Sequence, residues 1–182
     1  MKYCSECSHP VVYTIPEGED RERFFCRRCD TIHYQNPKMV VGAIAERANK
    51  IILCRRAIEP RQGYWTIPAG YMENGETVQE CAKRESMEEA LVELDELTPY
   101  ALLNISFINQ VYLIFRGRLV NDDFRPGPES IEVQLVDLAN IPWDDLAFRV
   151  IHQVLSVYRE DMAGKRYPFR IMDVPPPEQH RK

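Results

Sequence analysis

Apolar and polar positions along the chain change period several times, and each change marks an element. From Met39 to Ala45 the residues are apolar and β-rich, which predicts a buried strand. Ile51 to Cys54 repeats the pattern across the polar turn Ala48-Asn49-Lys50, as the partner strand of a hairpin. Trp65 to Pro68 then leads into a loop containing Gly70, Asn74 and Gly75. A helix is predicted from Thr77 to Leu91, because Thr77 is followed three residues later by Glu80, the capping-box spacing. Ala101 to Ile108 and Val111 to Leu119 read as paired strands, and Ile131 to Leu138 as another. A last helix is expected from Asp145 to Met162, where Ile151, Val154, Leu155, Tyr158 and Met162 share one face. A mixed sheet packed between helices, an α+β architecture, accommodates this order.

Residues 1–36 depart from that pattern. They are polar and cysteine-rich, and Asn36-Pro37 makes a break before the first long strand. The expected organisation is therefore a small module at 1–36, a main domain at 37–167 and a Pro-rich tail at 168–182. A chain of 182 residues with 45% apolar and 28% charged residues suits one ordinary domain plus an appendage. The formal net charge of −5 argues against general attraction to nucleic acid or an anionic membrane. There is no export-signal pattern at the N-terminus and no window of about 20 apolar residues, so a cytoplasmic location is expected.

Four of the six cysteines form two close pairs, Cys4-x2-Cys7 and Cys26-x2-Cys29, eighteen residues apart. Each pair can aim two thiolates at one ion, and two pairs complete a tetrahedron, so structural Zn2+ is the expected cofactor. The module then reads as a β-hairpin carrying two knuckles. His9 and His33 are alternative ligands but are read as surface residues. Cys54 and Cys81 are read as packing residues, since no histidine neighbours either in sequence.

The most informative stretch is acidic. Glu85, Glu88 and Glu89 stand at i, i+3 and i+4, and so share one helix face. Like charges at this spacing destabilise a helix unless cations offset them. Hard carboxylate oxygens favour Mg2+ or Mn2+. A solvated acidic face would explain three glutamates alone, but their fixed offsets from Gly70, Glu76 and Arg84 exceed that explanation.

The segment from Gly70 to Val92 resembles the Nudix box, a 23-position pattern matched by Gly70, Glu76, Arg84, Glu85, Glu88, Glu89 and Val92. Ser86 replaces an apolar residue, and Leu91 stands where the family has Gly. Leu cannot take a left-handed backbone cheaply, so the helix is expected to continue or to leave differently. The resemblance implies a Nudix α/β/α sandwich and the hydrolysis of a nucleoside-diphosphate compound. It implies Glu85, Glu88, Glu89 and the carbonyl of Ala69 as magnesium ligands, with Arg84 and Glu76 fixing loop against helix. A base is implied on a later loop, with Glu129 the first choice and Glu132 the second.

Tyr34 to Gly42, Pro126 to Ser130 and Ile141 to Phe148 extend the resemblance to a zinc-ribbon Nudix subgroup that hydrolyses ADP-ribose and FAD. Another zinc-ribbon group, acting on NADH, carries Ser-Gln-Pro-Trp-Pro-Phe-Pro after the box. Tyr100 to Gln110 contains nothing similar. Tyr64, Trp65 and Phe107 are candidates to stack on a base, and Arg55 and Arg56 to meet phosphates. A homodimer is expected by analogy. Two further readings compete: a nucleotide-sensing module without turnover, motivated by Leu91, and nucleic-acid binding through Arg27, Arg28 and Lys38.

Overall fold

The chain divides at Pro37 into two units in a computed structural model that describes residues 1–177. The first unit, Met1–Pro37, holds β1 (Val12–Thr14), β2 (Arg23–Cys26) and β3 (Thr31–His33). They form one antiparallel sheet in the order β1-β2-β3, a strand more than the expected hairpin. The extra strand arises because the chain turns back alongside β2 after the second cysteine pair. His33 pairs with Phe24 there and is buried, correcting its expected surface position.

The second unit is built on β4 (Lys38–Arg47), β5 (Lys50–Arg56), β6 (Trp65–Thr66) and β7 (Ala69–Tyr71), then α1 (Val78–Ala90). It continues through β8 (Leu94–Ile105), β9 (Gln110–Leu119), β10 (Ser130–Asp137), α2 (Arg149–Gly164) and β11 (Arg170–Asp173). The sheet runs β10-β5-β4-β9-β8-β11, with β6 on β5 and β7 on β4. It is mixed: β4 lies parallel to β9 and β11 parallel to β8, and the other pairs are antiparallel.

Alternation along the strands creates two cores, one on each face of the sheet. Ile51 and Leu53 of β5 join Ile114, Ala101 and the α2 residues Ile151, Val154, Leu155 and Tyr158. Ile52 and Cys54 turn the other way, with Val41, Ala43, Phe115 and the α1 residues Cys81, Ala82 and Ala90. Helix, sheet and helix thus form the expected α/β/α sandwich.

The β4–β5 hairpin is paired only near its turn, at Glu46 with Ile51 and Arg47 with Lys50. Beyond that point the strands part. Short β7 pairs with Val40–Gly42, and short β6 with Cys54 and Arg55. This fork carries the segment Pro68–Gly70 to the face of α1.

Three expectations need correction. The last helix begins at Arg149 rather than Asp145. Trp143–Asp145 forms a separate 3-10 turn, and Leu146 bridges to Trp65, whose carbonyl accepts from the Ala147 amide at 2.8 Å. These tertiary bonds hold the preceding residues extended. Second, part of the expected tail is β11, and the Val174 amide extends its pairing to the Asn104 carbonyl at 2.9 Å. The remainder from 178 lies outside the described residues.

Third, α1 ends at Leu91, which does adopt the left-handed conformation, with φ 53° and ψ 35°. Its amide bonds the Met87 carbonyl at 3.0 Å, the closure of an αL-type end, and the Val92 amide bonds the Ser86 carbonyl at 3.3 Å. Two outside donors cap two further carbonyls, Gly127 on Glu89 at 3.1 Å and Arg125 on Ala90 at 3.0 Å. So many bonds over-determine the turn and outweigh a left-handed cost of about 1–2 kcal/mol. Leu91→Ile keeps the volume but adds β-branching at positive φ. Chemical denaturation is expected to show a loss of about 1–2 kcal/mol, and an unchanged midpoint would contradict this account.

Candidate active site

The capping box starts α1 as the spacing predicts. The Thr77 hydroxyl accepts from the Glu80 amide at 3.2 Å, and Glu80 accepts from the Thr77 amide at 2.7 Å. With the start fixed, Glu85 and Glu89 face inward, 8% and 6% exposed, while Glu88 stays exposed. Ser86 is fully buried, yet its hydroxyl donates to the Ala82 carbonyl at 2.7 Å. That bond explains why a polar residue is tolerated at a position expected to be apolar.

Arg84 ties the loop to the helix. Its guanidinium donates to Glu76 at 2.7 and 3.0 Å and to the Tyr71 carbonyl at 3.1 Å. It also donates to Glu85 at 2.7 Å and Glu88 at 3.0 Å. The fork of donors suits several acceptors at once, which a lysine would not reproduce. Its hydrogen bond holds the Glu76 carboxyl down at about 2, helped by the Glu73 amide. The Glu76–Arg84 pairing expected from the resemblance is thus formed.

Gly70 lies directly on Glu85. A Cβ at this position would stand 2.2–2.3 Å from the Glu85 carboxylate, an impossible approach. The neighbouring Ala69 amide donates to Glu89 at 3.3 Å. No ion pair reaches Glu89 among the described residues, in contrast to Glu85. Burial pushes the Glu89 carboxyl up to about 8, and the Glu85 charge adds to it. Glu85 is raised as well, by burial first, against the pull of Arg84. Two oxygen donors of like charge, shielded from water and under-compensated, fit a hard divalent cation. Glu88 does not gather with them. Among the described residues, only the cysteines bring three or more potential ligand atoms within 4.8 Å of one another.

Of the base candidates, Glu132 is engaged: Arg55 lies 3.8 Å away, and Gln134 donates to it at 2.5 Å. Glu129 is exposed and has no such partner among the described residues. Its carbonyl accepts from the Ala57 amide at 2.8 Å. Its charge adds, after burial, to the upward push on both Glu85 and Glu89.

The substrate-contact candidates separate. Arg55 is exposed and paired with Glu132, Trp65 packs against the α2-side core, and Phe107 sits on an outlying 3-10 turn. Arg56 lies with its guanidinium 5.2 Å from the Phe148 ring centroid, and its charge pulls down on Glu89. Tyr64 and Phe148 line a cavity of about 620 Å³ together with Arg61, Arg149 and His152. Sequence reasoning missed Arg61 and Phe148 as neighbours of this space, because loop and helix meet only in three dimensions. Cys54 and Cys81 are buried, and burial pushes both thiols up, Cys81 to about 12. Neither suits a nucleophile.

In the first unit the four sulfurs lie within 4.8 Å of one another, with Cys4–Cys29 at 3.6 Å and Cys7–Cys26 at 3.5 Å. A tetrahedron with metal–sulfur bonds of about 2.3 Å has edges of about 3.8 Å, close to these separations. Ser8 and Asp30, each just after a knuckle, share positive φ values of 58° and 54°. The two turns are built alike.

A family model of the NUDIX domain matches residues 36–154, and a Nudix N-terminal zinc-ribbon model matches residues 2–35. The chain belongs to the Nudix family. A NUDIX hydrolase from Nitrosomonas europaea has a solved structure similar to it, with TM-score 0.92 and 47% identity over 96% of this chain and 99% of that one. The NAD-capped RNA hydrolase NudC of Stutzerimonas stutzeri is 26% identical over 92% of this Nudix chain and 59% of its own length. An ADP-ribose pyrophosphatase of Methanocaldococcus jannaschii is 28% identical, covering 60% of this chain and 67% of that protein. The chain spans about three-fifths of the first of these curated relatives.

Two outcomes follow from the geometry. Gly70→Ala should displace Glu85 and lower turnover by about 100-fold or more, read as nucleotide release with magnesium; wild-type kinetics would refute the contact. Cys26→Ser should reduce bound zinc from about one ion per chain to none by elemental mass spectrometry.

Proposed function

We propose that this Nudix domain hydrolyses the phosphoanhydride bond of a nucleoside-diphosphate derivative, with ADP-ribose or FAD as the substrate. Water adds at one phosphorus and the bridging oxygen leaves with the other. ADP-ribose gives AMP and ribose 5-phosphate, and FAD gives AMP and FMN. The single observation that carries this reading is Glu89, a buried carboxylate beside buried Glu85 with no ion-pair partner among the described residues. Such a pair calls for added positive charge, and a pyrophosphate substrate needs the same.

Magnesium or manganese would be held by Glu85 and Glu89, with Glu88 and the Ala69 carbonyl as the further ligands implied by the box. When bound, such an ion supplies neutralisation of phosphoryl charge and a more acidic water. The remaining work falls to this chain's own groups. Arg84 keeps Glu85 aimed while it anchors Glu76 and Tyr71, so the loop holds its place over the helix. Glu129 is free to accept a proton from the attacking water, whereas Glu132 is occupied by Arg55 and Gln134. Arg56, over Phe148, offers positive charge toward the same centre. Zinc in the ribbon is a structural staple, because four thiolates leave no open position.

A second reading is favoured by the curated relatives named NAD-capped RNA hydrolases, which span most of this chain. It would place an NAD-linked pyrophosphate in the same centre. The Tyr100–Gln110 segment, without the NADH-group motif, weighs against it. The sensing alternative loses its motive, since Leu91 ends α1 without disturbing Glu85 or Glu89.

Incubating the protein and magnesium with ADP-ribose, FAD, NADH and an NAD-capped oligonucleotide decides among them by product mass. AMP from the first two is expected, and Glu89→Gln should reduce it by about 100-fold or more. Turnover that survives Glu89→Gln would overturn the assignment.

A further inference from the structure

The C-terminal end of α1 is held by a segment that no box residue contains. Arg125 and Gly127 donate their amides to Ala90 and Glu89, the last two helical residues. Gly127 also sits so close that a Cβ there would lie 1.6 Å from the Glu88 carbonyl oxygen and 2.8 Å from its carbon. No side chain fits that gap. The obstruction is helix backbone, which cannot swing aside as a flexible side chain would.

From this seat the chain makes a tight turn. The Ser130 amide bonds the Gly127 carbonyl at 3.1 Å, which puts Pro128 and Glu129 at the two central positions. Proline at the first of these fixes φ near the value that such turns require. The far side of the turn is tied to the sheet. Ala57 donates to the Glu129 carbonyl at 2.8 Å, and Ser130 pairs with Arg56 at the start of β10. A register shift between Ser130 and Glu132 then separates Glu129 from the regular strand. The backbone of Glu129 is therefore strung between the helix that bears Glu85 and Glu89 and the strand that bears Arg56.

We propose that Gly127 is a positioning residue for the hydrolytic step, its bare Cα and amide seating the Gly127–Ser130 turn on α1 so that Glu129 keeps a fixed reach to the Glu85 and Glu89 face. This rests on the hydrolase reading given above. A methyl group at Gly127 must lift the turn from the helix by an ångström or more. A displacement of about 1 Å can cost about 100-fold in rate while substrate contacts elsewhere persist.

The test is a double-mutant cycle on the full chain, with ADP-ribose and magnesium, measuring kcat, KM and thermal midpoint. Gly127→Ala should lower kcat by about 10- to 100-fold with KM within about twofold. In a Glu129→Gln background the same change should cost less than about twofold more, because the group it misplaces is already disabled. Pro128→Gly adds no atom at the seat and only slackens the turn. It should lower kcat by a smaller factor with only a small drop in midpoint, from the freedom the unfolded chain gains, and it carries the test if Gly127→Ala does not fold. An unchanged kcat in Gly127→Ala, or in Pro128→Gly where only that variant folds, would overturn the proposal, as would full multiplication of the two losses in the double variant. Glu89→Gln, run alongside, separates the two levels: if it abolishes turnover while Gly127→Ala leaves kcat unchanged, only the positioning role fails.

Discussion

Two carboxylates buried on successive turns of one helix repel each other, and each has given up its water. A fold can hold that arrangement only if the surrounding parts leave the side chains nowhere else to go. Here a loop backbone lies against Glu85 without room for a methyl group, an amide meets Glu89, and Arg84 spans loop and helix. The electrostatic cost is concentrated where a cation and a pyrophosphate together would relieve it. Stability elsewhere, from two apolar cores on opposite faces of the sheet, offsets it in their absence.

The guanidinium of Arg84 compensates this charge only in part. It satisfies Glu76, Glu85 and Glu88 but does not reach Glu89. Glu88, exposed and leaning on the arginine, differs from its two neighbours although all three share a face. The helix thus presents a graded set: a deep carboxylate with no ion pair among the described residues, a deep one paired to Arg84, and a shallow one at the rim. Burial raises the proton affinity of both Glu85 and Glu89, and on Glu85 the pull of Arg84 opposes it.

Much of this could be read from residue order. The capping box, the two cysteine pairs, the alternating strands and the i, i+3, i+4 glutamates are local patterns, and local patterns survive folding. What sequence concealed was set by partners distant in the chain. Intrinsic backbone cost alone disfavours a left-handed Leu91, whereas amides from residues 125 and 127 help decide how the helix ends. Asp145 to Phe148 has helical periodicity, but pairing with Trp65 keeps its second half extended. Pairing likewise buries His33 beside β2 and adds β11 to the edge of the sheet. Among the candidate site residues, Arg55, Trp65 and Glu132 read as available and are in fact occupied by neighbours.

The parted hairpin has a further meaning. Residues 57–63 leave and return to nearly the same point, since Arg56 bonds both Gly63 and Tyr64 through its backbone. A loop whose ends already meet can lengthen or shorten at small entropic cost. The strands on either side of the fork, and the segment they press onto α1, would not feel the change. One edge of the cavity beside Phe148 is therefore free to diverge while the carboxylate pair stays where it is, separating what a descendant of this fold accepts from what it does to it.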